Sequence, residues 1–260
     1  MKNLRKYGNA LFSVAVIHGG PGAPGSMAPV ARELSRSFGV LEPLQTASSL
    51  KGQLHELKEI LKKNGDLPII LIGSSWGAIL SIIFTAKNPK FIKKLILVGS
   101  GVFEDFYSKS IMETRLNRLG EEKREMAQSL IEALDNSVVR DKNIIMAKFG
   151  KLMTEADTYD PIASDDEIIE YSYETYKNVW KEAKELRKCG KLLELGKKIQ
   201  CPVVAIHGDY DPHPIKGIKN PLSRVLKDFR FVLLKNCGHL PWIEKKARDK
   251  FFNILLEELN

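Results

Sequence analysis

Cysteine is scarce in this chain and long apolar runs are missing, and each shortage narrows what it can be. Only Cys189, Cys201 and Cys237 occur in 260 residues. Their number is odd, and none stands in a CxxC pair or a cluster with histidines. Neither a disulfide framework nor a metal site is expected, and a reducing cytoplasm is the expected setting. No stretch reaches the roughly 18 to 20 uninterrupted apolar residues of a membrane helix, so no membrane contact is expected. The apolar run Ala10 to Ile17 follows a basic start. It is short for a signal-peptide core and no small-x-small cleavage site follows it, so it reads as a strand. A basic stripe interleaved with aromatics is also missing. The net charge is +8, yet residues 101–200 hold 17 Lys+Arg against 20 Asp+Glu, a net of −3, while the remainder holds 23 against 12, a net of +11. The basic residues are scattered over amphipathic helices such as Lys58 to Lys63, which describes a solvated surface and no nucleic-acid partner.

What is present is an alternation of short strands and longer helices. Leu11 to Ile17, Pro68 to Ile72, Lys94 to Val98, Pro202 to Ile206 and Arg230 to Leu234 read as buried strands, with Gly39 to Glu42 a weaker sixth. Between them, sets such as Leu50, Leu54, Leu57, Ile60 and Leu61 recur at helical spacing. That alternation predicts a mostly parallel sheet with helices on both faces. It stops after Gly101. From about Glu104 to Lys198 only helical patterns occur, over Ile111 to Leu119, Glu121 to Leu134, Val138 to Glu155 and Asp165 to Lys188. The predicted organisation is a core of residues 1–103 and 199–260, interrupted by an all-helical cap of residues 104–198. The first strand begins about ten residues into the chain, so no leading hairpin is expected.

Gly73-Ser74-Ser75-Trp76-Gly77 is a G-x-S-x-G sequence. By itself it is weak, since chance supplies about one match in ten chains of this length. Its place between the strand run at 68–72 and the helical pattern Ala78, Ile82, Ile83, Ala86 makes it specific. A turn that sharp strains its central residue and exposes the Ser75 hydroxyl, while the two glycines let strand and helix approach. A serine needs a base. His239, in Cys237-Gly238-His239 just past the last strand, is the candidate, and His213, before that strand, ranks second. His55 reads as a surface residue, His207 as a core or supporting group and His18 as a brace for its own loop. The imidazole needs an acid, and Gly208-Asp209-Tyr210-Asp211-Pro212 offers two; Asp211, deeper in the loop, is the better placed to reach across. Gly20 and Trp76 are the candidate backbone donors to an oxyanion, from His18-Gly19-Gly20-Pro21-Gly22 and from the residue after the nucleophile. No lysine follows the glycine loop at the spacing of a phosphate-binding loop, so no nucleotide cofactor is expected.

Taken in order, the runs at 18–22, 73–77, 208–211 and 237–239 resemble the α/β-hydrolase superfamily over the whole chain. His-Gly-Gly-Pro-Gly and Ser-Trp-Gly are similar to its proline iminopeptidase branch, although Leu41-Glu42-Pro43-Leu44-Gln45 stands where that branch carries Asp-x-Arg-Gly. The resemblance implies a parallel core, a helical cap after the sixth strand of the standard fold, and no cofactor. The expected activity is serine hydrolysis of a small carboxylic ester or amide by a monomer or homodimer. An aminopeptidase and a ligand-binding protein without turnover are the alternatives. Glu155 to Glu174 contains eight acidic residues and no Lys or Arg. These read as a solvated segment and an acidic helix start, or as carboxylates that enter the pocket and grip a substrate amine.

Overall fold

The computed structural model describes residues 3–162 and 170–260. Its centre is a seven-stranded sheet of β1 (Leu4–Tyr7), β2 (Phe12–Ile17), β3 (Gly39–Pro43), β4 (Ile69–Ser74), β5 (Ile92–Val98), β6 (Val203–Gly208) and β7 (Phe229–Leu234). The spatial order is β1-β3-β2-β4-β5-β6-β7. Every pairing is parallel except that of β1 with β3. The six strands read from sequence are therefore all present.

Why the central strands read as continuous apolar runs follows from their two covered faces. Ala15, Ile17, Leu71, Leu95, Leu97 and Ala205 point to one side. There they meet helices α2 (Leu50–Asn64), α3 (Trp76–Lys87), α8 (Lys191–Gly196) and α9 (Lys216–Val225). Val14, Val16, Ile70, Ile72, Ile96 and Val204 point to the other, against α1 (Ala28–Leu34) and α10 (Arg248–Leu259). Successive residues thus serve opposite cores, as the period of two requires. All of Val14 to Ile17 is at most 1% exposed.

The leading strand corrects the sequence reading. β1 pairs antiparallel with β3 from Leu4↔Pro43 to Tyr7↔Val40. It is four residues long, polar and at the sheet edge, so neither an apolar run nor a turn signal marks it. Its anchor is Tyr7, whose hydroxyl donates to the fully buried Glu42 at 2.7 Å. Burial and that carboxylate push the Tyr7 phenol up to about 12.

Between β5 and β6 lie a 3-10 turn at Asp105–Ser108 and α4 (Ile111–Arg118), α5 (Glu121–Asp135), α6 (Lys142–Asp157) and α7 (Tyr173–Lys188), followed by α8. Packing divides this block. Ala127, Phe149, Leu152 and Met153 of α5 and α6 form a cluster of their own. Val179 and Ala183 of α7, with Leu192 of α8, join the sheet core instead. α6 begins four residues later than its pattern suggests, after Asp141 in the left-handed region at φ 56°. α7 also begins late, at Tyr173, where Ser172 Oγ accepts from Thr175 N. Glu170 to Ser172 is not helical, and the expected start at Asp165 lies outside the described residues. Among the described residues no helix is long and apolar enough to cross a membrane. The three cysteines are free.

Candidate active site

The β4–α3 turn carries Ser75 at φ 52°, ψ −113°, a conformation an L-residue holds only under constraint. The flanking glycines supply that constraint. A Cβ at Gly73 would collide with the Gly77 carbonyl, and one at Gly77 would collide with the carbonyls of Ile17 and His18. Strand and helix therefore cross closely enough to lift the serine out of the sheet. Ser75 N donates to Val98 O on the neighbouring strand at 3.0 Å, which fixes the turn from the other side.

The glycine loop after β2 lies directly over this turn. A Cβ on Gly19 would sit 3.2 Å from Ser75 Cβ, and Gly20 takes φ +49°. His18 is buried and holds the loop, with its ring nitrogens 2.9 Å from the carbonyl oxygens of Gly19 and Leu44. Burial lowers its pKa. Trp76, first residue of α3, is anchored by its Nε1 donating to Gln53 Oε1 at 3.1 Å and by an edge contact with Trp180 at 6.0 Å.

The acid and base come from the loops after β6 and β7. Asp211 is buried, with Oδ2 2.7 Å from His239 Nδ1 and Oδ1 2.8 Å from His213 Nδ1. Backbone N of His213 donates to Oδ1 as well, at 2.8 Å. His207 Nδ1 stands 3.6 Å from Oδ2. Burial alone would raise the Asp211 pKa; the charges of His239, His207 and His213 outweigh it and hold the carboxyl well below its usual range. For His239 burial again opposes, but attraction to Asp211 and their hydrogen bond win, and the imidazole pKa is raised. His213 goes the other way. Burial dominates there and lowers it to about 4.

The structure thus brings His239 and His213 onto one carboxylate, their rings stacked at 4.8 Å. His213, not His239, lies on the wall of a cavity of about 370 Å³ together with Ser75, Gly20 and Trp76. Among the described residues Ser75 Oγ is hydrogen-bonded to neither imidazole; such contacts are often long before substrate arrives. Asp209 braces its turn, accepting from Cys237 N at 3.3 Å. His55 is exposed on α2. Asp211, His213 and His239 place three potential metal-ligating atoms within 4.8 Å of one another. Here the carboxylate oxygens are already taken by imidazole and amide donors.

Two features had no signal in sequence. Arg115 on α4 grips Asp157 through Nε and Nη2 at 2.7 and 2.6 Å, and Asp157 O in turn accepts from His239 N at 2.8 Å. Glu244, fully buried, accepts from the backbone N–H groups of Gly238, Tyr159 and Asp160, each at 2.8 Å. One carboxylate thereby ties the His239 loop to the end of α6. Glu244→Gln replaces an acceptor oxygen with an N–H facing another N–H. It should cost about 3 kcal/mol in chemical denaturation; a loss under about 0.5 kcal/mol would show that the clamp is not needed.

Glu155 pairs with Lys123 and Asp160 with Lys245, while Glu170 and Glu174 are exposed. Asp165, Asp166 and Glu167 lie outside the described residues. Among the described residues no carboxylate lines the cavity beside Ser75.

Comparison with known proteins agrees with this architecture. VinJ is similar in structure at TM-score 0.69 and 16% identity, over 98% of this chain and 93% of that one. A thermophilic esterase from Thermogutta terrifontis gives 0.64 at 18%, covering 98% and 93%. Proline iminopeptidase from Mycobacterium smegmatis gives 0.63 at 17%, again covering 98% and 93%. No curated protein sequence matches. The family model of the alpha/beta hydrolase fold matches residues 45–246, a span that includes the Ser75 turn and both acid–base loops, and the chain belongs to that family.

Proposed function

We propose that this protein is a serine hydrolase that cleaves a small carboxylic ester or amide through an acyl-enzyme. The observation that carries the reading is Ser75 at positive φ on the wall of a cavity that His213 also lines, with His213 bonded to the buried Asp211 that holds His239. In this mechanism His239 takes the Ser75 proton as Oγ attacks the carbonyl carbon. Asp211 holds the ring with Nε2 free and stabilises the imidazolium. The backbone N–H groups of Gly20 and Trp76 receive the developing oxyanion. Collapse breaks the C–O or C–N bond, and the proton passes to the leaving group. Water, deprotonated by the same imidazole, then attacks the acyl–serine bond and releases the acid.

Residues 104–198 act in this reading as a cap, with Met112 and Arg115 from α4 and Tyr176 and Trp180 from α7 roofing the cavity. The cationic side chains of the described lining, Arg115, Lys184 and Arg187, favour an ester or amide without a free amine over an aminopeptidase substrate. The absence of disulfides supports a reducing compartment.

The pH profile tests which imidazole is the base. His239 works only when neutral, and its raised pKa places the acid limb of kcat/KM above the ordinary imidazole value of about 6.5. Activity should fall as pH drops through that value. An acid limb near pH 4 instead identifies His213, whose pKa lies there. Kinetics on an activated ester between pH 4 and 9 decide it.

A further inference from the structure

Along α7, Tyr176, Trp180, Lys184 and Arg187 all face the cavity that holds Ser75. Their spacing puts them on one side of the helix. The aromatic pair lies at the nucleophile end, because Trp180 touches Trp76. Lys184 and Arg187 follow roughly 6 and 10 Å further along the axis.

Arg187 is the unusual member. Its side chain keeps only 7% of its surface, yet its single polar contact is Nε to Asp105 Oδ1 at 3.3 Å, and that carboxylate is 47% exposed. Both terminal nitrogens lack a protein partner among the described residues. A guanidinium buried to this degree normally gains several charge-assisted bonds in return for its lost hydration. Arg115, on the same wall, is by contrast closed off by Asp157. The lining has three cationic side chains, Arg115, Lys184 and Arg187, and among the described residues no anionic one.

We infer that Arg187 and Lys184 form a carboxylate-binding subsite, so that the substrate is an ester or amide whose chain ends in a carboxylate. The inference rests on the hydrolase reading above. The paired terminal N–H groups of Arg187 present the planar fork that matches a carboxylate, and the exposed Lys184 adds a second charge. The apolar stretch between, with Trp180 and Met112, suits a short methylene chain.

The test compares 4-nitrophenyl hydrogen adipate with 4-nitrophenyl hexanoate. The carboxylated ester should be preferred in kcat/KM by roughly tenfold to hundredfold, the worth of one or two hydrogen bonds to a charged group. Arg187→Ala should abolish the preference and Lys184→Ala should reduce it, mainly through KM. A purely structural Arg187–Asp105 clasp would lower Tm and slow both esters alike, leaving their ratio intact; that result overturns the inference. To separate this from the nucleophile assignment, calorimetry on Ser75→Ala needs no turnover. Monomethyl adipate should bind at least tenfold tighter than methyl hexanoate, and lose that margin in the Ser75→Ala/Arg187→Ala protein. Equal binding of the two overturns the subsite even if turnover is normal. Preferential binding in a protein that hydrolyses neither ester keeps the subsite and discards the hydrolase. Tighter binding of methyl 5-phosphonopentanoate than of monomethyl adipate overturns the carboxylate assignment in favour of phosphate.

Discussion

Ser75→Ala should lower kcat toward activated carboxylic esters by a factor on the order of 10⁴ to 10⁶ and abolish labelling by a fluorophosphonate probe. The size of the effect follows from the proposed mechanism. Without Oγ no acyl-enzyme can form, and His239, Gly20 and Trp76 are left to assist direct attack by water. What remains is the residual acceleration from oxyanion binding and substrate positioning. Stability should change little, because alanine meets the same φ 52° constraint as serine and the hydroxyl is not a structural donor to either imidazole. Undiminished probe labelling in the variant would place the nucleophile elsewhere. No labelling of the wild-type protein, with ligand binding retained, would favour a binder without turnover.

Asp211→Asn should cost about 10⁴ in kcat while leaving KM nearly unchanged. Asp211 Oδ2 accepts from His239 Nδ1, which keeps the proton on that nitrogen and leaves Nε2 free to act as base. An amide in its place presents either an N–H, which forces the other tautomer, or a neutral oxygen that stabilises the imidazolium poorly. The acid limb of the pH profile should also move down, since attraction to Asp211 is what raises the His239 pKa against its burial. Asp209→Asn is the matched control. Its carboxylate accepts from Cys237 N at 3.3 Å and stands 3.6 Å from the exposed Lys235, so a loss under about tenfold is expected. If Asp209→Asn is the more damaging of the two, Asp209 is the acid.

The shared carboxylate gives His213 a part that sequence reading placed second. It is stacked on His239, bonded to the same Asp211 and exposed to the cavity. The chain order of the loops favoured His239, and the opposite pKa shifts separate the pair. One buried carboxylate reinforces both rings, but it outweighs burial only for His239.

Much of the molecule was legible because its signals are local. Ser75 is announced by glycines at 73 and 77 between a strand and a helix, Asp211 and His239 by turn residues at the ends of β6 and β7. The six strands of the parallel part declare themselves by apolar runs, since a sheet covered on both faces buries its central strands throughout. β1 was missed because a four-residue polar edge strand has neither pattern, and is held by the Tyr7–Glu42 bond across 35 residues. The start of α7 at Tyr173 was not recognised: Ser172 supplies its cap, and the expected start at Asp165 lies outside the described residues.

The sequence by itself determined the fold family and the local settings of the proposed nucleophile, acid and base, which are the turn at Ser75 and the loops that carry Asp211 and His239. Each depends on residues close in the chain, whose turn and capping preferences are local. Only the tertiary structure decided what surrounds the serine. Arg115 meets Asp157 across 42 residues, Arg187 meets Asp105 across 82, and Glu244 reaches back to Tyr159 across 85. Asp105 and Asp157 are engaged by arginines far away in the chain, and the described lining of the cavity beside Ser75 carries Arg115, Lys184 and Arg187 without a carboxylate. Composition sets how many charges a segment carries; folding decides which of them are neutralised and which face a substrate.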